Sequence, residues 1–204
     1  FTAASDAFTQ RNIKMSVEDS LSLFAKLIAD FRNAVPEGFI RGYVSTIVEC
    51  PFTGSVLPES VTRVVDRLDR MGVDEVSLGE TLGVAVPDEI AAVARSVEDV
   101  IAPAQIAWHF HDTRGTALAN VFAMVERGYR SFDASAGGLG GCPFAPGAGG
   151  NLATEDLVYA LDRAGYDTGI NLDLLARASL PVLETLGVPI RAKAQQATLA
   201  SACS

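Results

Sequence analysis

Gln105-Ile106-Ala107-Trp108-His109-Phe110-His111-Asp112-Thr113 is an apolar run that ends in titratable side chains. In an extended strand alternate side chains share a face, so His109 and His111 present both imidazoles together where the strand gives way to a loop. They are the only two histidines in the chain, and their coincidence in this arrangement favours a metal or proton-transfer site. The competing reading is a pair of core histidines satisfied by backbone carbonyls. A hard cation such as Mg or Mn would add oxygen ligands, whereas Zn would add sulfur or carboxylate.

Working outward from this strand, the same unit recurs on both sides. Ser16 with Glu18 and Asp19 caps a helix over 16–34 whose apolar positions include Leu21, Phe24, Leu27, Ile28 and Phe31. A buried strand rich in β-branched residues is expected over 40–48, followed by the loop Cys50-Pro51-Phe52-Thr53-Gly54. Pro58 opens a helix that Gly72 stops, and a short strand covers 75–79. Pro87 begins the next helix, which leads to the histidine strand at 105–110. A helix over 115–127 and a strand over 131–134 follow, then helices over 154–164 and 172–186. Strand and helix alternate, so the sheet should be parallel. The unusual residues follow the strands: Glu49 and Cys50, Glu80 and Thr81, His111 and Asp112, then a loop, 137–151, with seven glycines.

Polar residues at the carboxyl ends of successive strands are the mark of an α/β protein of the (β/α)8 barrel type, or of an open doubly wound sheet. No GxGxxG follows a first strand, which makes the dinucleotide fold the weaker choice. Only four full strands can be counted where a barrel needs eight. The reading is therefore a single domain, a partial barrel over 1–165 with a helical extension over 166–204. Phe1 falls in what reads as the end of a strand, as in an internal fragment.

Composition narrows the function. The 204 residues are 49% hydrophobic and 20% charged, enough to bury one sizeable core. A net charge of −9 with dispersed Lys and Arg argues against nucleic acid and for a small-molecule partner. Three cysteines and no secretory signal suggest reduced thiols in a cytoplasm-like compartment, and no apolar run approaches the ~18 residues of a membrane span.

The glycine loop holds Cys142, whose setting suits an exposed thiol on a mobile flap, able to transfer a proton or be oxidised. Asn151 closes the loop; it is either a loop or cap asparagine or an amide-oxygen ligand. Two imidazoles and an amide bring no negative charge to a divalent cation, so a carboxylate must join them, from Glu80, Asp112 or a segment outside this chain. Glu80 would face the barrel mouth, or else cap a helix or pair with an arginine. Arg41 and Arg114 are weaker candidates for an anionic substrate. Cys50 reads as packing, and Cys203 as a mobile terminal thiol that can enter a redox or intersubunit disulfide.

These residues carry a resemblance. His109-Phe110-His111-Asp112-Thr113 with Ala117-Leu118-Ala119-Asn120, then Gly138-Leu139-Gly140-Gly141-Cys142-Pro143-Phe144-Ala145 and Gly150-Asn151-Leu152-Ala153-Thr154-Glu155-Asp156-Leu157-Val158-Tyr159, resemble the hydroxymethylglutaryl-CoA lyase family of the DRE-TIM metallolyase superfamily. Arg41-Gly42-Tyr43-Val44-Ser45, Cys50-Pro51 and Ser77-Leu78-Gly79-Glu80-Thr81 fit as well, so the likeness spans nearly the whole chain. The HxH pair alone is shared with isopropylmalate and homocitrate synthases; the GLGGCP loop marks the lyase branch. The resemblance implies a TIM barrel, of which this chain covers about the C-terminal half plus C-terminal helices. It implies Mg2+ or Mn2+ held by His109, His111 and Asn151, with Cys142 catalytic and His109 a proton shuttle. The implied reaction cleaves the CoA thioester 3-hydroxy-3-methylglutaryl-CoA to acetyl-CoA and acetoacetate, as in leucine degradation and ketone-body formation. The expected compartment is the cytoplasm, or the mitochondrial matrix in a eukaryote, and a homodimer through the C-terminal helices is one assembly.

The chain departs from the family in two places. The family usually has Asp where this chain has Glu80, in a substrate-binding or outer-sphere position. The family's first strand carries an Arg-Asp pair, the Asp a metal ligand, and no such strand is present here. The alternatives are an acyl-CoA condensing enzyme of the same superfamily and an inactive half-barrel serving as an interaction module.

Overall fold

A computed structural model describes residues 1–141 and 150–201. Its five-stranded sheet is built from β1 (Thr2–Ala3), β2 (Arg41–Ser45), β5 (Glu75–Glu80), β6 (Ile106–Phe110) and β7 (Ser131–Asp133), every neighbouring pair parallel. Strand order in space follows order in the chain. A doubly wound sheet would reverse direction at a switch point, whereas sequential addition is how a (β/α) barrel is wound.

The helices between the strands form where the sequence provides their ends and one apolar face. In α2 (Val17–Ala34) the Ser16 hydroxyl accepts the Asp19 amide at 3.0 Å, a closed N-cap. In α3 (Pro58–Arg70) Pro58 occupies the first turn, and Val61, Val64, Val65 and Leu68 form one buried stripe. Gly72, at φ +82°, ends that turn in the left-handed region. Two further helices, α4 (Pro87–Val97) and α5 (Ala117–Glu126), continue the outer layer.

Strand parity divides the two faces. Val44, Val76, Leu78, Ile106, Trp108 and Phe110 point to the helix layer and form the core with its inward stripes. Trp108 is fully buried, stacked on Phe110 (centroids 5.8 Å) and edge-on to Tyr129 (5.3 Å). Each such side chain contributes about 1.5–3 kcal/mol by leaving water. The opposite parity carries Arg41, Tyr43, Glu75, Ser77, His109, Ser131 and Asp133, which would line a barrel's interior.

Several expectations need correction. The strand expected over 40–48 is only Arg41–Ser45 and is buried on one side, with Tyr43 exposed on the other. The loop after it contains an antiparallel hairpin, β3 (Glu49–Cys50) with β4 (Gly54–Ser55), turned by Gly54 at φ +77°. Two helices escaped the sequence reading, α1 (Asp6–Ile13) and α8 (Lys193–Ser201). Both are polar and only weakly amphipathic, so periodicity gave no signal. The last helices are α6 (Thr154–Arg163), α7 (Leu172–Leu186) and α8, packed on one another. No helix among the described residues is long and apolar enough to cross a membrane.

Candidate active site

His109 and His111 emerge together at the carboxyl end of β6, ring centroids 5.2 Å apart. His109 has a partly open side chain, and its Nδ1 lies 3.6 Å from Oδ2 of Asp133. His111 is buried, with an Nδ1 that has no hydrogen-bond partner among the described residues. Burial, and then the neighbouring His109, push its pKa down to about 4, which keeps the ring neutral and its lone pair available at neutral pH. Among the described residues no backbone carbonyl satisfies His111 Nδ1.

The chain after the glycine loop returns to this point. The Leu152 amide donates to the Phe110 carbonyl at 3.0 Å and the Asp112 amide to the Gly150 carbonyl at 3.1 Å, which pairs Asn151 with His111 in an antiparallel bridge. The Ser135 amide donates to the Leu152 carbonyl at 2.9 Å and joins the same segment to β7. Asn151 does not cap α6, whose N-cap is Ala153. Its Nδ2 donates to the Leu139 carbonyl at 2.9 Å, which fixes the amide orientation and leaves Oδ1 as the acceptor. His109, His111 and Asn151 are thus brought to one edge.

The carboxylates named as completing the set are engaged elsewhere. Glu80 shares strand parity with Val76 and Leu78 and is the register partner of Phe110, so it lies on the helix side and not at the mouth. Its Oε1 accepts the amides of Leu82 and Val84, both at 3.3 Å, while Oε2 is buried without a partner among the described residues. Burial raises its pKa despite those amides. Asp112 accepts the Ala117 amide at 3.0 Å in the first turn of α5, and burial raises its pKa too. Arg114 donates to the Leu82 and Gly83 carbonyls. Arg41 is held by Glu75 and Asp133 and is not free for a substrate. Cys50 is buried beside Ala3 and Phe8 with its sulfur accepting from the Ser5 hydroxyl at 3.1 Å, a packing residue. Cys142 and Cys203 lie outside the described residues.

Two acidic residues that sequence reasoning passed over shape this edge. Glu155 is fully buried; its oxygens accept the Gly137 amide at 2.8 and 3.0 Å and the Ser179 hydroxyl at 2.7 Å, so it ties the start of the glycine loop to α7. Asp133 stands below His109. Burial would raise its pKa, but His109, Ser77 and Arg41 outweigh that and hold it at about 2. The alternation Ser131-Phe132-Asp133 spans only three residues, too short a signal to place the acid on the inner face.

No group of three or more His, Cys, Asp or Glu side chains able to hold a metal occurs among the described residues. An unpartnered buried imidazole nitrogen, a second imidazole and a free amide oxygen nevertheless fit a divalent cation as a partial, uncharged donor set.

A parallel sheet wound in sequence, with polar side chains gathered at the carboxyl ends of its strands, defines the class: an enzyme-type (β/α) barrel, of which this chain carries part. The HMGL-like family model matches residues 1–182. The chain belongs to the HMGL-like family. It is 44% identical over 194 residues to the hydroxymethylglutaryl-CoA lyase of Pseudomonas mevalonii, covering 95% of this chain and 64% of that relative. The crystal structure of hydroxymethylglutaryl-CoA lyase from Pseudomonas aeruginosa superposes with a TM-score of 0.92 at 40% identity, over 98% of this chain and 66% of that one. An HMG-CoA lyase from Acinetobacter baumannii, solved in complex with coenzyme A and 3-methylmalate, matches with a TM-score of 0.89 at 36% identity, over 96% of this chain and 63% of that one. The chain thus spans less than two thirds of the length of the curated relative it matches.

Proposed function

We propose that the protein to which this chain belongs is a divalent-metal-dependent lyase that cleaves 3-hydroxy-3-methylglutaryl-CoA to acetyl-CoA and acetoacetate. The observation that carries this is the convergence of His109, His111 and Asn151 beside the glycine loop, in a chain 44% identical to a hydroxymethylglutaryl-CoA lyase. The relative solved with coenzyme A supports a CoA thioester as the substrate.

In this reading His109, His111 and Asn151 hold Mg2+ or Mn2+, and a carboxylate outside the described set supplies negative charge. The metal, when bound, supplies Lewis acidity at the tertiary hydroxyl of the substrate. His109, the more open of the two rings, accepts the hydroxyl proton at Nε2 when that nitrogen faces the substrate and not the metal. The bond between C2 and C3 then breaks, its electron pair remaining on C2 as the thioester enolate while C3 becomes the ketone of acetoacetate. Cys142 returns one proton to C2, giving acetyl-CoA, and the proton on His109 restores the thiol. His111, buried and neutral, keeps its lone pair without competition from a proton. Asn151 is held through its side chain by the Leu139 carbonyl, and the Gly150 carbonyl before it accepts the Asp112 amide, which supports its placement as a ligand beside His111.

The reading extends to a barrel domain over 1–165 with a helical extension over 166–204. It also extends to a homodimer through the exposed Leu174, Val182 and Leu186 of α7, and to a cytoplasmic or mitochondrial-matrix location. The test is acetoacetate release by the full-length protein. Turnover should require Mg2+ or Mn2+, vanish with a chelator and return with metal, and fall by about 10²-fold or more in His111→Ala. Metal-independent turnover, or full activity in His111→Ala, would overturn it.

A further inference from the structure

Below the His109 ring the inner face of the sheet carries a chain of polar contacts that the proposed reaction leaves unused. Asp133 ends β7 and is the register partner of His109. Its Oδ1 accepts Arg41 Nη1 at 2.7 Å and its Oδ2 accepts the Ser77 hydroxyl at 2.7 Å. Arg41 is itself fixed by Glu75 through Nε at 2.9 Å and Nη2 at 3.0 Å, and Glu75 also accepts the Ser131 hydroxyl at 2.9 Å. Side chains from β2 and β5 therefore reach across the sheet to hold the β7 carboxylate in a set orientation. Toward its open side stands His109 Nδ1, 3.6 Å from Oδ2. That is longer than a formed hydrogen bond, and a small turn of the ring would close it, as commonly happens when a site is loaded. Among the described residues the His109 ring makes no hydrogen bond, and Asp133 is its ion-pair partner.

We propose that Asp133 is a positioning residue for His109, accepting from Nδ1 so that the ring's rotation and tautomer are set and the Nε2 lone pair faces the mouth. The proposal rests on the reading of His109 as a metal- and proton-facing residue. A carboxylate behind a histidine is the usual device for orienting a ligating imidazole and raising its basicity. Here it does more, because the donor set it backs is uncharged and Asp133 is the nearby anion aimed at it. Arg41 and Ser77 do not neutralise that function: they hold the carboxylate in place and leave the lone pair on the His109 side free. If Asp133 were only a bridge between strands, its link to Arg41 would suffice and the tautomer of His109 would be indifferent to it.

The test uses the full-length, metal-free protein at a pH where His109 is neutral, with the tautomer read from long-range 1H–15N spectra and Mn2+ affinity from an EPR titration. Wild-type His109 should carry its proton on Nδ1. Asp133→Asn, whose amide can present N–H to the ring, should move the proton to Nε2 and weaken Mn2+ binding about 10–100-fold, while Glu75→Gln, one step further away, keeps the wild-type tautomer. A wild-type proton on Nε2, an unchanged tautomer in Asp133→Asn, or unchanged Mn2+ affinity in that variant overturns the proposal. The wild-type spectrum needs no variant, so the matter is decided even if Asp133→Asn fails to fold. Absence of Mn2+ binding in the wild type would refute the metal reading above, and the tautomer would still decide this one.

Discussion

Gly150 lies at φ +108°, and a Cβ built there would stand 2.3 Å from the Gly138 carbonyl and 2.8 Å from that of Gly140. Two backbone oxygens cannot yield as a side-chain tip can, so the position needs glycine on both conformational and steric grounds. Gly150→Ala should therefore displace Asn151 from its bridge with His111. We expect a loss of stability above about 1 kcal/mol and weaker Mn2+ binding by the full-length protein, read by denaturant unfolding and by titration. Unchanged values in both would mean that the loop can re-form around a side chain. The two histidines were legible in the sequence because a period of two places both rings on one face whatever the fold. Glu80 was misplaced although the same rule applied: counted from Val76 and Leu78 it belongs with the helix-side residues. Asp133, in a strand of three residues, offered too little alternation to be distinguished from a solvent-facing acid.

Among the elements, the strands and long helices followed the sequence because apolar period, proline starts and glycine stops agreed. In the C-terminal region α6 and α7 followed it too, but α8 and the contacts that join the three did not, since those contacts are polar and distant in sequence. Glu155, in the first turn of α6, receives the Ser179 hydroxyl from α7, and Gln195 on α8 donates to Ser179 at 2.8 Å and to the Ala176 carbonyl at 2.9 Å. This buried relay fastens three helices to the Gly137 amide where the glycine loop begins. Such a relay invites no reading from periodicity, because each member looks like an ordinary polar helix residue. Ser179→Ala removes a donor from a fully buried carboxylate and an acceptor from a buried amide, which should cost about 1–3 kcal/mol. The measurement is chemical denaturation of the wild type and variant. A difference within a few tenths of a kcal/mol would show that water replaces the hydroxyl and that the helices are not joined through it.

At the scale of the molecule, the helix side of the sheet is a closed apolar core, and the inner side is a polar surface of Arg41, Glu75, Ser77, His109 and Asp133. Five parallel strands cannot enclose that surface, and a closed barrel of this type has eight. The charge of the donor set leads to the same requirement: His109, neutral His111 and Asn151 bring no anion into direct contact with a dication, and Glu80 and Asp112 are committed to loop and helix amides. A polypeptide limited to these 204 residues should therefore bind Mn2+ far more weakly than the full-length protein and release no acetoacetate. Loss of an outer-sphere partner alone weakens metal sites about 10–100-fold, and loss of a direct carboxylate ligand should exceed that. Titrating both polypeptides with Mn2+ under identical conditions gives the comparison. Equal affinity would mean that the metal site is complete within this chain, with the Asp133 charge behind His109 sufficient in place of a direct anionic ligand, and robust turnover by the shorter polypeptide would mean that the remaining strands are dispensable for the chemistry.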